Sequence, residues 1–242
     1  MSTTGLLLAA GIGSRLGEGT PKAFVSINGR PMFVFSLEAM EASGVIDAVV
    51  LVAPRSEFAR VRVMVEALGS SLVQDLVLGG ASRSSSVKAG LAASPPNTDV
   101  VVCHDAARPF ASPELFRRVI DALPNADGVV PVIPSPDTIK RLDGSRVVET
   151  IPRDTVGLAQ TPQAFRFDAL RAVHAGDPKD ATDDAALVEG AGFHVETVEG
   201  EPSNFKITTR EDLRRAEILL RSRSADAFRH AEEREQAARR SP

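Results

Sequence analysis

Short, wholly apolar runs that alternate with segments of helical periodicity predict an α/β fold: a doubly wound, mainly parallel sheet with helices on both faces. Gly5 to Ala9 (GLLLA), Asp47 to Ala53 (DAVVLVA) and Asp99 to Cys103 (DVVVC) are continuous rather than alternating, the pattern of strands covered on both sides. Connections between successive segments are short, so right-handed crossovers are expected.

The first strand, Gly5 to Ala9, runs into a Gly-rich loop. Pro31 suits a first helical position, Phe33, Leu37 and Met40 recur at helical spacing, and Gly44 offers a C-terminal cap, which places helix one at about 31–43. After the strand at Asp47 to Ala53, residues Phe58, Val61, Val65 and Leu68 share one helical face. Val73 to Leu78 is a strand before Gly79-Gly80, and Ser86 to Ala93 is a short helix with Ser86 a candidate N-cap. The strand Asp99 to Cys103 leads into His104-Asp105, Ser112-Pro113 opens a helix carrying Leu115, Val119 and Leu123, and Gly128 to Ile133 is the fifth strand. The architecture is Rossmann-like, and in such sheets ligands gather at the carboxyl ends of the strands. Ala9 to Lys22, Gly79 to Ser86 and His104 to Pro109 fall there.

Thr138 to Leu142 and Ser145 to Thr150 flank Asp143-Gly144, a hairpin turn signal. A hairpin inserted in a doubly wound sheet is expected to form an arm, here 137–155, that covers an edge or grips a second subunit. Phe167 to Ala175 follows as a helix, Thr182 as the cap of another, Phe193 to Val198 as a strand, and Thr209 with Asp212 as a capping box for a long helix. Residues 1–220 form one domain. Residues 221–242 hold six Arg against four acids and form a charged tail with no catalytic role.

Composition excludes several functions. The chain of 242 residues has a formal charge of −4, and the first 220 residues alone carry −6. An acidic chain without Trp or Tyr lacks both the basic stripe and the best stacking platforms of nucleic-acid binders. The lone Cys103 allows no intramolecular disulfide, and Met1-Ser-Thr-Thr begins no signal peptide. No apolar run approaches the ~20 residues of a membrane span, so a cytoplasmic protein is expected.

The loop Ala9-Ala10-Gly11-Ile12-Gly13-Ser14-Arg15-Leu16-Gly17, followed by Thr20-Pro21-Lys22, has small residues that let backbone N–H groups approach phosphate oxygens, with Arg15 and Lys22 as fixed cations. It is not the G-x-G-x-x-G dinucleotide fingerprint, because Leu16 stands where the third Gly belongs, and it is not a P-loop. The alternative is a surface loop with incidental charges. His104 reads as a hydrogen-bonded structural side chain, and Asp105 as a ligand for a polyol hydroxyl or a metal-bound water.

The string Leu8-Ala9-Ala10-Gly11-x-Gly13-x-Arg15-Leu16-Gly17 with Pro21-Lys22 resembles nucleotidyltransferases that join a sugar or polyol phosphate to a nucleoside triphosphate. Gly79-Gly80-x-x-Arg83-x-x-Ser86-Val87, His104-Asp105-Ala106-Ala107-Arg108-Pro109, Asp137-Thr138, Gln160-Thr161-Pro162-Gln163 and Asn204-x-Lys206-Ile207-Thr208 extend the likeness, in order, to the 2-C-methyl-D-erythritol 4-phosphate cytidylyltransferase family. The resemblance implies attack of a polyol phosphate oxygen on the α-phosphorus of CTP, with release of pyrophosphate, in non-mevalonate isoprenoid synthesis. It implies that Arg15 and Lys22 stabilise the transition state while Mg2+ bridges triphosphate oxygens, with Asp105 as a candidate ligand. It further implies CTP contacts from Ala9, Ala10, Gly11, Gly13, Gly79, Gly80, Ser86, Ala106 and Arg108. Acceptor contacts would come from Asp105, Arg108, Thr138, Arg153, Thr161, Thr182 and Lys206, with Arg153 and Lys206 on the attacking phosphate. The arm would cross to a second subunit, placing Arg153 in the partner's site of a homodimer.

Two positions depart from the family pattern: Leu8, where Pro is usual, and Ala81, where a polar residue is frequent. Leu8 keeps ribitol 5-phosphate open as an alternative acceptor, while Ala9-Ala10-Gly11 and Ala106-Ala107 favour methylerythritol phosphate. A non-catalytic CTP-binding module is the remaining alternative; Arg15, Lys22, Arg153 and Lys206 together argue against it, because such a module has no need of transition-state cations.

Overall fold

The computed structural model describes residues 1–11, 21–176 and 181–223. In chain order the elements are β1 (Thr3–Leu8), β2 (Ser26–Ile27), β3 (Arg30–Pro31), α1 (Met32–Ser43), β4 (Ala48–Ala53), α2 (Phe58–Leu68), β5 (Val73–Leu78), α3 (Arg83–Ala92), β6 (Val100–Asp105), α4 (Pro113–Asp121) and β7 (Gly128–Pro134). There follow β8 (Ile139–Asp143), β9 (Arg146–Ile151), β10 (Gly157–Ala159), β11 (Gln163–Arg166), α5 (Phe167–His174), α6 (Asp184–Gly190) and β12 (Val195–Glu199). Residues 210–223 are helical.

The main sheet has the order β10-β7-β11-β6-β1-β4-β5, with β12 also on β7. β5, β4, β1 and β6 pair in parallel, and so do β7 and β12. β11 runs antiparallel between β6 and β7, and β10 runs antiparallel to β7. These two short strands were not expected from sequence. Gln163-Ala164-Phe165-Arg166 holds only two apolar residues, and its pairing on both edges, rather than its own periodicity, makes it a strand.

Side chains of the central strands divide between two cores, as the two-residue period of a strand requires. On β1, Leu7 joins the core under α1, α2 and α4, while Leu6 joins the core under α3, α5 and α6; on β6, Val100 and Val102 face the first and Val101 and Cys103 the second. Both faces are therefore covered, and the apolar runs are continuous for that reason. A third, smaller core gathers Val25, Ile27, Met32, Phe110, Ile207 and Ala216. The C-terminal helix closes it, with Arg215 4.2 Å from the centre of the Phe205 ring and Arg223 5.4 Å from that of Phe110.

The ends of the elements follow local chemistry. Gly44 and Gly69 end α1 and α2 in the left-handed conformation, at φ 69° and 63°. Ser112 caps α4, accepting from the Leu115 N–H, and Thr209 and Asp212 exchange the hydrogen bonds of a capping box. Three boundaries differ from expectation. Ser82, not Ser86, caps α3, because Ser82 and Ser85 form a reciprocal box and the helix begins three residues earlier. Asp183, not Thr182, caps α6, accepting from Ala186 N–H at 3.0 Å. The C-terminal helix continues through residues 221–223, whereas the remainder of the expected tail, 224–242, lies outside the described residues.

Phe165 is fully buried where β11 enters the sheet. Phe165→Ala is expected to destabilise the fold by about 3–5 kcal/mol, measured as a lower denaturant midpoint.

Candidate active site

The carboxyl ends of β1, β5 and β6 surround a cavity of about 420 Å3, lined by Leu8 to Gly11, Lys22, Gly80 to Arg83, Ser86, Asp105, Ala107 and Lys206. The strand ends are tied together by backbone: Ala9 N–H donates to Val52 O, Ala106 N–H to Leu8 O and Gly79 N–H to Ala53 O. Close approach of the first two loops explains the glycines. A Cβ on Gly79 would lie 2.2 Å from the Ala10 Cβ, and one on Gly80 would lie 2.2 Å from the Ser85 hydroxyl. The Ser86 hydroxyl donates to Ser82 O (2.9 Å) and accepts from Gly80 N–H (3.2 Å), so it fixes the turn from inside α3.

Charge converges on Asp105, the one carboxylate lining this cavity among the described residues. Arg83 Nε donates to its Oδ1 at 3.3 Å and Lys206 Nζ to its Oδ2 at 2.6 Å. Burial alone would raise the Asp105 pKa, but Arg83 and Lys206 hold it well below the usual carboxylate range. The carboxylate is ionised, and with Lys22, Arg83 and Lys206 the described lining of the cavity has more cations than anions. Such a site suits a polyanion.

Below Asp105 lies a fully paired polar stack. Asp105 N–H donates to Thr161 Oγ1 at 3.0 Å, and Thr161 Oγ1 lies 3.1 Å from His104 Nδ1. His104 Nε2 lies 3.1 Å from the Arg108 carbonyl, which can only accept, so Nε2 carries the proton and Nδ1 accepts from the threonine. Burial lowers the His104 pKa to about 4, keeping the ring neutral. The ring also packs edge-on against Phe116, at 5.2 Å. The structural reading of His104 is the one that the geometry supports.

The segment that delivers Lys206 is stitched beside this stack. Asn204 Nδ2 donates to Thr161 O (2.8 Å) and Gln160 Oε1 (3.2 Å), Gln160 Nε2 donates to Glu201 O (2.9 Å), and Ile207 N–H donates to Ala107 O (2.8 Å). Lys206 therefore reaches the cavity from a segment braced by hydrogen bonds on both sides.

The expected site residues divide into five groups. Ala9, Ala10, Gly11, Lys22, Gly80, Ser86, Asp105 and Lys206 line one cavity, with Gly79 at its wall. Ala106 is fully buried behind it, and its neighbour Ala107 takes the lining position. Arg108 turns away to the carbonyls of Asn204 (2.9 Å) and Ala159 (3.3 Å), and the Thr161 hydroxyl lies beneath Asp105. Thr138, Arg153 and Thr182 are exposed and do not line the cavity of their own chain. Gly13 and Arg15 lie outside the described residues.

The structure adds two residues to which the sequence motifs give no role, Arg83 and Asp184. Arg83 NH1 donates to Asp184 Oδ2 at 2.7 Å, and Asp184 Oδ1 lies 3.1 Å from His174 Nε2. The available signal was the arginine three residues after Gly80; its anchor lies 101 residues away and leaves no local trace.

The 2-C-methyl-D-erythritol 4-phosphate cytidylyltransferase family model matches residues 4–222. A protein of that name from Nocardia farcinica is 45% identical over 226 residues, covering 93% of this chain and 96% of the relative; one from Frankia casuarinae is 43% identical over 229 residues, covering 93% and 84%. The crystal structure of 4-diphosphocytidyl-2C-methyl-D-erythritol synthase from Anaerococcus prevotii superposes with a TM-score of 0.81 at 32% identity, covering 91% of this chain and 96% of that one. The cytidylyltransferase from Thermus thermophilus gives a TM-score of 0.73 at 34% identity, covering 91% and 100%.

Two outcomes are expected at this site. The unfolded His104 ring takes a proton near pH 6.5 and the folded ring only near 4, so the unfolded state binds more protons between these values. Stability should fall by roughly 3 kcal/mol as pH drops through that window, and the slope measured by denaturation at stepped pH should flatten in His104→Gln. Gly79→Ala should displace the Ala10 loop and weaken nucleotide binding, read as a lower affinity for CTP by calorimetry.

Proposed function

Because the chain belongs to the 2-C-methyl-D-erythritol 4-phosphate cytidylyltransferase family, we propose that its cavity aligns CTP and the polyol phosphate through the residues gathered around Asp105. The reaction is transfer of CMP from CTP to 2-C-methyl-D-erythritol 4-phosphate, with release of pyrophosphate, in isoprenoid synthesis. The observation that carries the assignment of roles is one cavity at three strand ends that gathers Lys22 with an ionised carboxylate, Asp105, paired by Arg83 and Lys206.

Two polyanions must meet, and in phosphoryl-type transfer the protein contributes mainly alignment and charge neutralisation. Small side chains at Ala9, Ala10, Gly79 and Gly80 leave room for the nucleoside beside α3. Lys22, with Arg15 of the sequence motif that precedes it, braces the α-phosphate and the leaving pyrophosphate. Lys206 serves the attacking phosphate from the other side. The donor set fits Mg2+ carried by the triphosphate: one carboxylate, Asp105, lines the cavity, and no cluster of three acidic, His or Cys side chains exists among the described residues. When bound, Mg2+ would neutralise triphosphate charge, and Asp105 would hold it or a polyol hydroxyl.

The functional unit in this reading is a dimer. The β8–β9 hairpin of the arm exposes Leu142 (61%), Val147 (55%) and Val148 (57%), an apolar surface suited to a second copy, and Arg153 follows directly after the hairpin. Arg153 and Thr138 then complete the partner's site, with Thr182 a further acceptor contact. Buried, unpaired Cys103 accords with a cytoplasmic enzyme.

Pyrophosphate release from CTP and Mg2+ should depend on methylerythritol phosphate; turnover with ribitol 5-phosphate instead would overturn the acceptor, and none with either would favour a CTP-binding module. Lys22→Met should lower turnover by roughly 10²-fold with little loss of stability, and unchanged turnover would remove Lys22 from the mechanism. Mixing inactive Lys22→Ala and Arg153→Ala proteins under subunit exchange should restore activity through hybrid dimers. No recovery would refute a shared site.

A further inference from the structure

The roles above leave a buried group unused. Arg83 opens α3 with its guanidinium between two carboxylates, NH1 on Asp184 Oδ2 at 2.7 Å and Nε on Asp105 Oδ1 at 3.3 Å. Asp184 opens α6 and is fully buried, and its second oxygen lies 3.1 Å from Nε2 of His174, itself buried at the end of α5. Alternating polar links thus run from the α5–α6 interface through Arg83 to Asp105 and Lys206, where the chain of contacts meets the cavity. It is not redundantly held: Arg83 NH2 and His174 Nδ1 are buried without a hydrogen-bond partner.

Resting on the reaction assigned above, we propose that Arg83 is a positioning residue for Asp105, held in place by Asp184, which His174 orients. The guanidinium occupies Oδ1 and so turns Oδ2 toward Lys206 and the substrates. A buried ion pair maintained only for stability has little advantage over apolar packing of the same volume. One that ends on a cavity carboxylate does have an advantage, because orientation within a fraction of an ångström governs transfer between bound reactants. Asp184 matters through the arginine, not through contact with substrate. Burial alone would lower the Arg83 pKa, and Asp184 and Asp105 more than offset it.

Double-variant kinetics and chemical rescue test this in the full-length enzyme. Arg83→Gln should lower kcat by about 10- to 100-fold while the KM for CTP moves little. Arg83→Gln combined with Asp105→Asn should be no slower than Asp105→Asn alone. Guanidinium added at sub-denaturing concentration should raise the turnover of Arg83→Ala, and should fail to do so in Arg83→Ala/Asp184→Asn, where the anchoring charge is gone. A purely structural role would give neither rescue nor dependence of rescue on Asp184. Additive losses in the Asp105 double variant, absence of rescue, or rescue indifferent to Asp184 would each overturn the proposal. Should Arg83→Gln fail to fold, the guanidinium experiment on Arg83→Ala decides alone, and failure of both to fold assigns Arg83 to stability and overturns it. A wild type that transfers no CMP overturns the reaction and this inference together; an active wild type with additive losses overturns the positioning role only.

Discussion

The carboxylate of Asp105, shared between Arg83 and Lys206, is the interaction on which the architecture of the site depends. It joins three separate parts of the chain: the start of α3, the end of β6 and the segment before the C-terminal helix. An ionised carboxylate with little access to water is tolerated only when opposite charges and hydrogen bonds surround it. Two cations supply that here, and they remain beside the cavity because the carboxylate does.

The fold around this point keeps the cost of that arrangement low. β6 lies between β1 and β11, covered on both faces, so the backbone that carries His104 and Asp105 has little freedom. Thr161 and neutral His104 satisfy the polar groups beneath it, and Gln160 and Asn204 bind the Lys206 segment to the same stack. The small third core presses Phe205 and Ile207 against the C-terminal helix on either side of Lys206. The same core receives Val25 and Ile27, which follow Lys22. The two lysines that line the cavity are therefore carried by segments that pack into one cluster.

The acidic balance of the whole chain and the cationic character of this pocket do not conflict. Net charge describes the long-range field, which ions screen over about 10 Å, whereas a triphosphate responds to the few side chains within hydrogen-bonding reach. The formal charge of −4 argues against a polymer along the surface and leaves a local polyanion site permitted.

Local pattern determined most of the layered order. Continuous apolar runs marked β1, β4 and β6, helical spacing marked α1, α2 and α4, and Asp143-Gly144 marked the β8–β9 turn. The loops at the strand ends were legible too, and motif likeness singled out Lys22, Asp105 and Lys206 among the charged residues. Tertiary structure alone decided what those residues touch. The strand Gln163–Arg166 exists through its neighbours, Ser82 and Asp183 displace Ser86 and Thr182 as caps, and Thr161 supports Asp105 from below. The pairs Arg83–Asp184 and Asp105–Lys206 each span 101 residues. Periodicity reports only the face a residue presents within its own element, and a contact over that separation depends on how whole elements dock.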